Sequence, residues 1–191
     1  MAFEREWAQF DEEGAMRQRF ADIEERNRLL RKTVRAGGWS DREFDEVYDI
    51  SWLYHENGLE GVVLSFPEIR SAVDNRIVSD VSLLPTYQRI KDQKWVLDEI
   101  RSRATQKRTV ISVALLKELH GRLVEGSDEA GVFRKDIPIH RTYFHEISQP
   151  LRIPQRLVEV LDYLKSHHEA ESHPIEFAAN VHHKFMRVFP F

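Results

Sequence analysis

The chain is predicted to be mainly α-helical, a helical bundle that carries a small β-hairpin. Three observations predict this. Apolar residues recur at helical spacing through most of the 191 residues. Glycine and proline are sparse, at 8 and 7, and fall mostly between the periodic stretches. One segment only, Val132 to Tyr143, shifts toward period two, with Phe133, Ile137, Ile139 and Tyr143 set among polar residues.

From Glu4 to Lys32 the chain is dense in Glu and Arg, with Phe3, Trp7, Phe10, Met16, Phe20, Ile23 and Leu30 on one helical stripe. That stripe admits two readings, a helix packed on its own domain or a coiled-coil contact with a second chain. Ala36-Gly37-Gly38 breaks the pattern, and Ser40 with Glu43 has capping-box spacing. The next helix is expected to bury Phe44, Val47, Tyr48, Ser51 and His55, and to end near Gly61. A second capping box, Ser65 to Glu68, opens a short helix to about Val73. Helices are then expected from Pro85 to Arg103 and from Ser112 to Val124, the latter with Leu115, Leu116, Leu119 and Leu123 on one side. Gly126 and Gly131 bracket a loop. Pro154 suits the first turn of a helix reaching about His168, and Pro174 that of the last helix. The buried stripe of that last helix would be Phe177, Ala178, Val181, His182 and Phe185.

Composition limits the function classes. Hydrophobic residues make up 41% and charged residues 31%, an ordinary globular balance. No run reaches the ~18 apolar residues of a membrane span, and no signal-peptide pattern occupies the first residues. There is no cysteine, which excludes disulfides and thiolate zinc sites and favours a reducing, cytoplasmic setting. A net charge of −4 argues against a general nucleic-acid binder. No Walker-type phosphate loop and no H-E-x-x-H pair is present, so no metal site is expected. His182 reads as a hydrogen-bonded core histidine, His120 as structural, and Lys107-Arg108 as a solvated face.

Three segments, in order between about Tyr48 and Phe191, resemble the Fic (Fido) family. Tyr54 to Ser65 contains Glu56-Asn57-Gly58-Leu59-Glu60-Gly61, similar to the family's inhibitory motif [ST]-x-x-x-E-[GN], with Glu56 in the Ser/Thr position. Leu116-Lys117-Glu118-Leu119-His120, with Gly131-Val132-Phe133-Arg134 after it, is similar to the L-x-x-L-H and G-x-[YF]-R steps that precede the family's flap. His173 to Phe191 is similar to the helix that leads into the signature H-x-F-x-[DE]-G-N-G-R-x-x-R. Phe189 fills the signature histidine position, before Pro190 and Phe191.

The resemblance implies a Fic-like helical bundle, here expected to be C-terminally truncated. It divides into a charged helix (1–36), an inhibitory-helix-like segment (37–75) and a Fic core (76–191) with its flap at about 132–149. It implies transfer of AMP from ATP, with Mg²⁺, to a hydroxyl of a target protein, the signature histidine acting as general base. With Phe189 in that place and no G-N-G loop in the chain, it implies an inactive form that does not bind ATP or Mg²⁺. The alternative is a non-catalytic module that binds a partner through the flap or the N-terminal helix. Glu60 and Gly61 would be the inhibitory pair, though a solvated surface glutamate is the plainer reading of Glu60. Ile137, Ile139 and Tyr143 would pair a target segment by strand addition, or simply cover the helical core. An exposed apolar patch around Phe177, Val181 and Phe185, marginal stability or a homodimer that hides the patch is also expected.

Overall fold

A computed structural model describes residues 12–76, 80–107, 109–138, 146–167 and 173–191. Seven α-helices are found among them: α1 (Glu12–Ala36), α2 (Asp41–Leu59), α3 (Phe66–Val73), α4 (Leu84–Ala104), α5 (Val113–Leu123), α6 (Ile153–His167) and α7 (Pro174–Val188). Single 3-10 turns, Val81–Leu83 and Pro150–Arg152, lead into α4 and α6. The chain divides into two compact units, residues 1–48 and 49–191.

In the first unit, α1 leaves Ile23, Leu29 and Leu30 at 38%, 48% and 47% exposure. Gly38 takes a positive φ, and α2 opens with the expected cap: the Ser40 amide donates to the Glu43 carboxylate at 2.8 Å, and the Glu43 amide donates back to the Ser40 hydroxyl at 3.2 Å. Hydrogen bonds from the Ser40 backbone and side chain hold the Glu43 carboxyl below its ordinary value.

The second unit has two apolar clusters. Ile50 and Leu53 of α2, Leu64, Ile69 and Ala72 around α3, and Tyr87 and Ile90 of α4 form one. Ile153, Leu157 and Val160 of α6 with Val188 of α7 form the other, flanked by Val113, Leu116, Phe133, Val181 and Phe185. Polar pairs stitch α4 to α5 between them. Arg122 meets the buried Asp92 at 2.9 Å, Arg103 meets Glu118 at 2.9 Å, and the Arg122 guanidinium lies over the Trp95 ring.

The face α2 buries differs from the expected one. Val47, Tyr48 and His55 are exposed, and Asp49, Ile50, Leu53 and Asn57 are buried. The reason is a pair of long-range polar contacts that periodicity does not register. Arg101 grips the Asp49 carboxylate through two nitrogens, at 2.9 and 2.7 Å, with Lys94 at 3.4 Å. The Asn57 side-chain amide donates to the Leu53 carbonyl and to Gln93 Oε1. Burial works to raise the Asp49 pKa, but the hydrogen bond and charge of Arg101, then those of Lys94, outweigh it and hold the carboxyl below its usual value.

The last helix also buries a narrower stripe than expected. Phe177, Val181, Phe185 and Val188 face inward at i, i+4, i+8 and i+11, while Ala178 and His182 are turned off that stripe, His182 being exposed. His182 is therefore not a core histidine. Phe177, Val181 and Phe185 are half-buried, the last two against the α6 cluster, so the stripe is not the bare patch expected of it. Between 132 and 138 the chain is irregular, and no strand is found among the described residues. The proposed flap residues Ile139 and Tyr143, and the N-terminal Phe3, Trp7 and Phe10, lie outside the described residues. The Met16 side chain and Arg108 do so as well.

Removing the Asp49 carboxylate takes the buried partner from Arg101 and Lys94, which retain the exposed Asp98. Loss of one partner of a buried pair costs roughly 3–5 kcal/mol. Arg101 is 38% exposed, so Asp49→Ala should lose about 2 kcal/mol, read as a lower urea midpoint. Because the folded-state pKa is depressed, the native advantage of Asp49 persists above about pH 4. It is lost as pH falls through the folded value, and Asp49→Asn should flatten that acid limb.

Candidate functional site

Two regions carry the residues singled out in the sequence. The first is the turn after α2. Gly61, with φ +81°, closes the helix: its amide donates to the Gly58 carbonyl at 3.1 Å, and the Val62 amide donates to the Asn57 carbonyl at 2.9 Å. This is a Schellman closure, and the left-handed residue it requires explains the glycine. Tyr54 stacks on Phe66 at 4.1 Å across the turn, fixing the path between α2 and α3. Glu56 is half-buried on the last turns of α2. Glu60 is exposed, at the helix end where the dipole disfavours a negative charge. It forms an ion pair with Arg89 of α4. Sequence reasoning placed Glu60 and Gly61 and missed Arg89, whose position within α4 gave no signal.

The second region is the end of α7. Phe189 adopts φ 45° and ψ 68°, a left-handed conformation that is uncommon and costly for a bulky side chain. Its amide still donates to the Phe185 carbonyl at 2.9 Å, closing the helix. Arg134 braces this turn and the last residues of the chain. Its guanidinium donates to the carbonyls of Phe189, Ser148 and Asp136, and to that of Val188 at 3.3 Å. Its backbone amide donates to the Pro190 carbonyl at 3.0 Å. The Ser148 amide donates to the Arg187 carbonyl, also at 3.0 Å. Burial pulls the Arg134 pKa down, while its guanidinium is hydrogen-bonded to main-chain carbonyls.

Phe191 completes the region. It stacks on His120 at 4.1 Å and 12°, and lies against Phe133 at 5.6 Å. Lys117 caps the Phe133 ring at 4.2 Å. His120 Nδ1 accepts a hydrogen bond from the Gly131 amide at 3.2 Å, so the bond requires the unprotonated nitrogen. Burial lowers the His120 pKa, and Glu129 opposes that more weakly. Gly131 has φ +67°, and a Cβ there would meet the Lys117 carbonyl oxygen at 2.9 Å. The glycine is required by conformation and by close approach together. The L-x-x-L-H and G-x-[YF]-R steps thus meet at residues 189–191. Ile137 is half-buried in the stretch beyond Arg134.

Around residues 189–191 the polar groups include a guanidinium, an imidazole engaged by a backbone amide, and main-chain carbonyls. No carboxylate set accompanies them, and no three His, Asp or Glu side chains converge among the described residues. The glycines at positive φ, including Gly126, are isolated at helix ends and turns rather than gathered into a phosphate cradle. The described residues therefore do not fit an ATP·Mg²⁺ site. Among the described residues no helix is long and apolar enough to cross a membrane.

The helical core and its C-terminal turn define the architecture of a Fic domain. Residues 110–191 match the model of the Fic/DOC family. A Fic domain-containing signaling protein from Bacteroides thetaiotaomicron superposes with a TM-score of 0.67 at 19% identity, covering 78% of this chain and 58% of that one. A Fic family protein from Desulfovibrio desulfuricans superposes with a TM-score of 0.62 at 17% identity, covering 83% and 46%. In sequence, the chain is 26% identical over 177 residues to the protein adenylyltransferase Fic of Drosophila willistoni, spanning 91% of this chain and 34% of that protein. The match to the Drosophila virilis protein of the same name has the same identity and length, over 35% of that protein. The match to the Fic/DOC family covers residues 110–191, and the fold is that of Fic-domain structures. The chain spans about a third of the length of the curated relatives it matches.

Two variants check this region. Arg134→Met removes a donor that serves several carbonyls and should cost about 2–4 kcal/mol, because hydrogen bonds from charged donors contribute about 1.5–3 kcal/mol each and do not add fully. Arg134→Lys should recover less than half, since an ammonium cannot fan across carbonyls on separate segments. For His120 the folded pKa is depressed, so its contribution is present above about pH 6.5 and lost as pH falls toward the folded value. The stability difference between wild type and His120→Asn should shrink between pH 7 and pH 5 in urea titrations.

Proposed function

We propose that this chain provides the scaffold of a Fic-type protein adenylyltransferase and does not itself perform the transfer. The relatives bear the name adenylyltransferase, which supports AMP transfer from ATP to target hydroxyls as the ancestral chemistry. The observation that carries the reading is residue 189. It holds a strained backbone conformation, braced by Arg134, where the family pattern puts its proton-accepting histidine, and its side chain is a phenyl ring. A phenyl ring accepts no proton, and losing a general base costs roughly 10²–10⁴ in rate. Glu60 and Gly61, with Glu56, constitute the inhibitory segment in this reading, and Arg89 takes the place of a signature arginine as Glu60's partner. The target would add along the segment 132–149 through Ile137, Ile139 and Tyr143. The lack of cysteine fits a cytoplasmic setting.

Incubating the protein with Mg²⁺ and ATP labelled on the α-phosphate, together with a cell lysate, should leave no protein-bound label. Labelling above a heat-denatured control would overturn the inactive assignment.

The exposed Ile23, Leu29 and Leu30 of α1 favour a second reading, a non-catalytic module that pairs through this helix, with a second copy as the first partner to test. Sedimentation velocity should then show a dimer that Leu29→Asp with Leu30→Asp converts to monomer, the circular dichroism spectrum remaining helical.

A further inference from the structure

A groove of about 650 Å³ lies between α6, α7 and the segment 146–149, within the size range of specific ligand sites. Val160 and Val188 lie at its base, and the Ser148–Arg187 backbone bond fixes one wall against α7. Four cations line it: Arg152 in the 3-10 turn before α6, Arg156 in the first turn of α6, and Lys184 and Arg187 at the end of α7. Lys184 and Arg187 are about one helical turn apart on the same helix, so that wall presents two neighbouring positive charges.

The carboxylates in the groove do not balance this charge. Glu159 pairs with Arg156 at 2.8 Å, and Glu146 is the other acid of the lining. Among the described residues, Arg152 and Arg187 have no carboxylate within ion-pair distance, although the chain as a whole carries a net charge of −4. A positive cleft in a negative protein attracts anions selectively.

We propose that this groove binds an extended acidic segment of a partner protein. Cations on two facing segments, residues 152–156 and α7, call for a ligand with several spaced negative charges rather than one small anion. Single-stranded nucleic acid meets that charge requirement but needs aromatic faces on which to stack its bases. The one aromatic side chain in the lining, Tyr163, is already covered, by Lys184 at 4.3 Å and by His167 stacked at 4.2 Å. The remaining polar surface favours side-chain carboxylates, which Arg receives in bidentate geometry. Binding at this groove does not require nucleotidyl transfer, so it stands or falls apart from the activity assigned above.

The test is fluorescence anisotropy with a short labelled peptide alternating Glu and Gly, and the same peptide with Gln for Glu. The Glu peptide should bind at least about tenfold tighter, and less tightly as salt rises. Arg152→Glu with Arg187→Glu should weaken it by at least about tenfold. Arg28→Glu with Arg31→Glu, an equal change of net charge on α1, should leave it within about twofold. Circular dichroism and the milder pair Arg152→Gln and Arg187→Gln separate lost charge from lost fold. Equal binding of both peptides, or equal weakening by both charge reversals, overturns the proposal. Tighter, groove-dependent binding of an oligothymidine of matched charge would also overturn it, in favour of nucleic acid.

Discussion

The guanidinium of Arg134 is the contact on which the C-terminal part of the structure depends. One side chain donates to carbonyls on the 134–136 stretch, on the 146–149 segment and on the final turn of α7. Those carbonyls have left regular structure, and each needs a donor that a neighbouring helix cannot supply. Arginine meets the need because its donors are spread in a rigid plane and its charge strengthens every bond. Desolvating that charge is costly, and the surrounding carbonyl dipoles offset the cost.

That arrangement explains why Phe189 keeps an unfavourable backbone conformation. A bulky residue in the left-handed region persists only when its surroundings over-determine it. Here the helix-closing bond to Phe185 fixes its amide and Arg134 fixes its carbonyl. Pro190 is bonded to the Arg134 backbone, and Phe191 is stacked on His120. On the function proposed above, the turn that holds residue 189 would aim a catalytic side chain, and the group it carries is a phenyl ring without proton chemistry.

The helices were legible in the sequence because their ends are chemically marked. The Ser40–Glu43 and Ser65–Glu68 capping pairs, Ser112 and Gly61 act through short-range bonds, and Pro174 through its fixed φ at the first helical position, all of which a linear reading can find. Helix faces were less legible where burial is decided by a distant partner. Asp49 and Asn57 point inward because Arg101 and Gln93 wait 52 and 36 residues away. His182 points outward because the four-residue spacing of Phe177, Val181 and Phe185 leaves it off the stripe. The site was half legible. Family likeness pointed to Gly131, Arg134 and Phe189 as positions, but the fan of bonds that unites them arises only from the folded chain.

The two halves of the larger unit express different solutions to one constraint. Around α2, α3 and α4 an apolar cluster is edged by buried charge, with Asp49 compensated by Arg101 and Lys94. Around α6 and α7 the apolar cluster is complete, and the charge lies in an open groove, partly uncompensated. Charge that is buried must be paired, or it shifts its pKa and destabilises the fold. Charge left unpaired in a water-filled groove carries no such penalty and keeps its capacity to bind. Asp49 therefore reads as an element of stability, and Arg152 and Arg187 as an element of recognition, although all three are ordinary charges on helical segments.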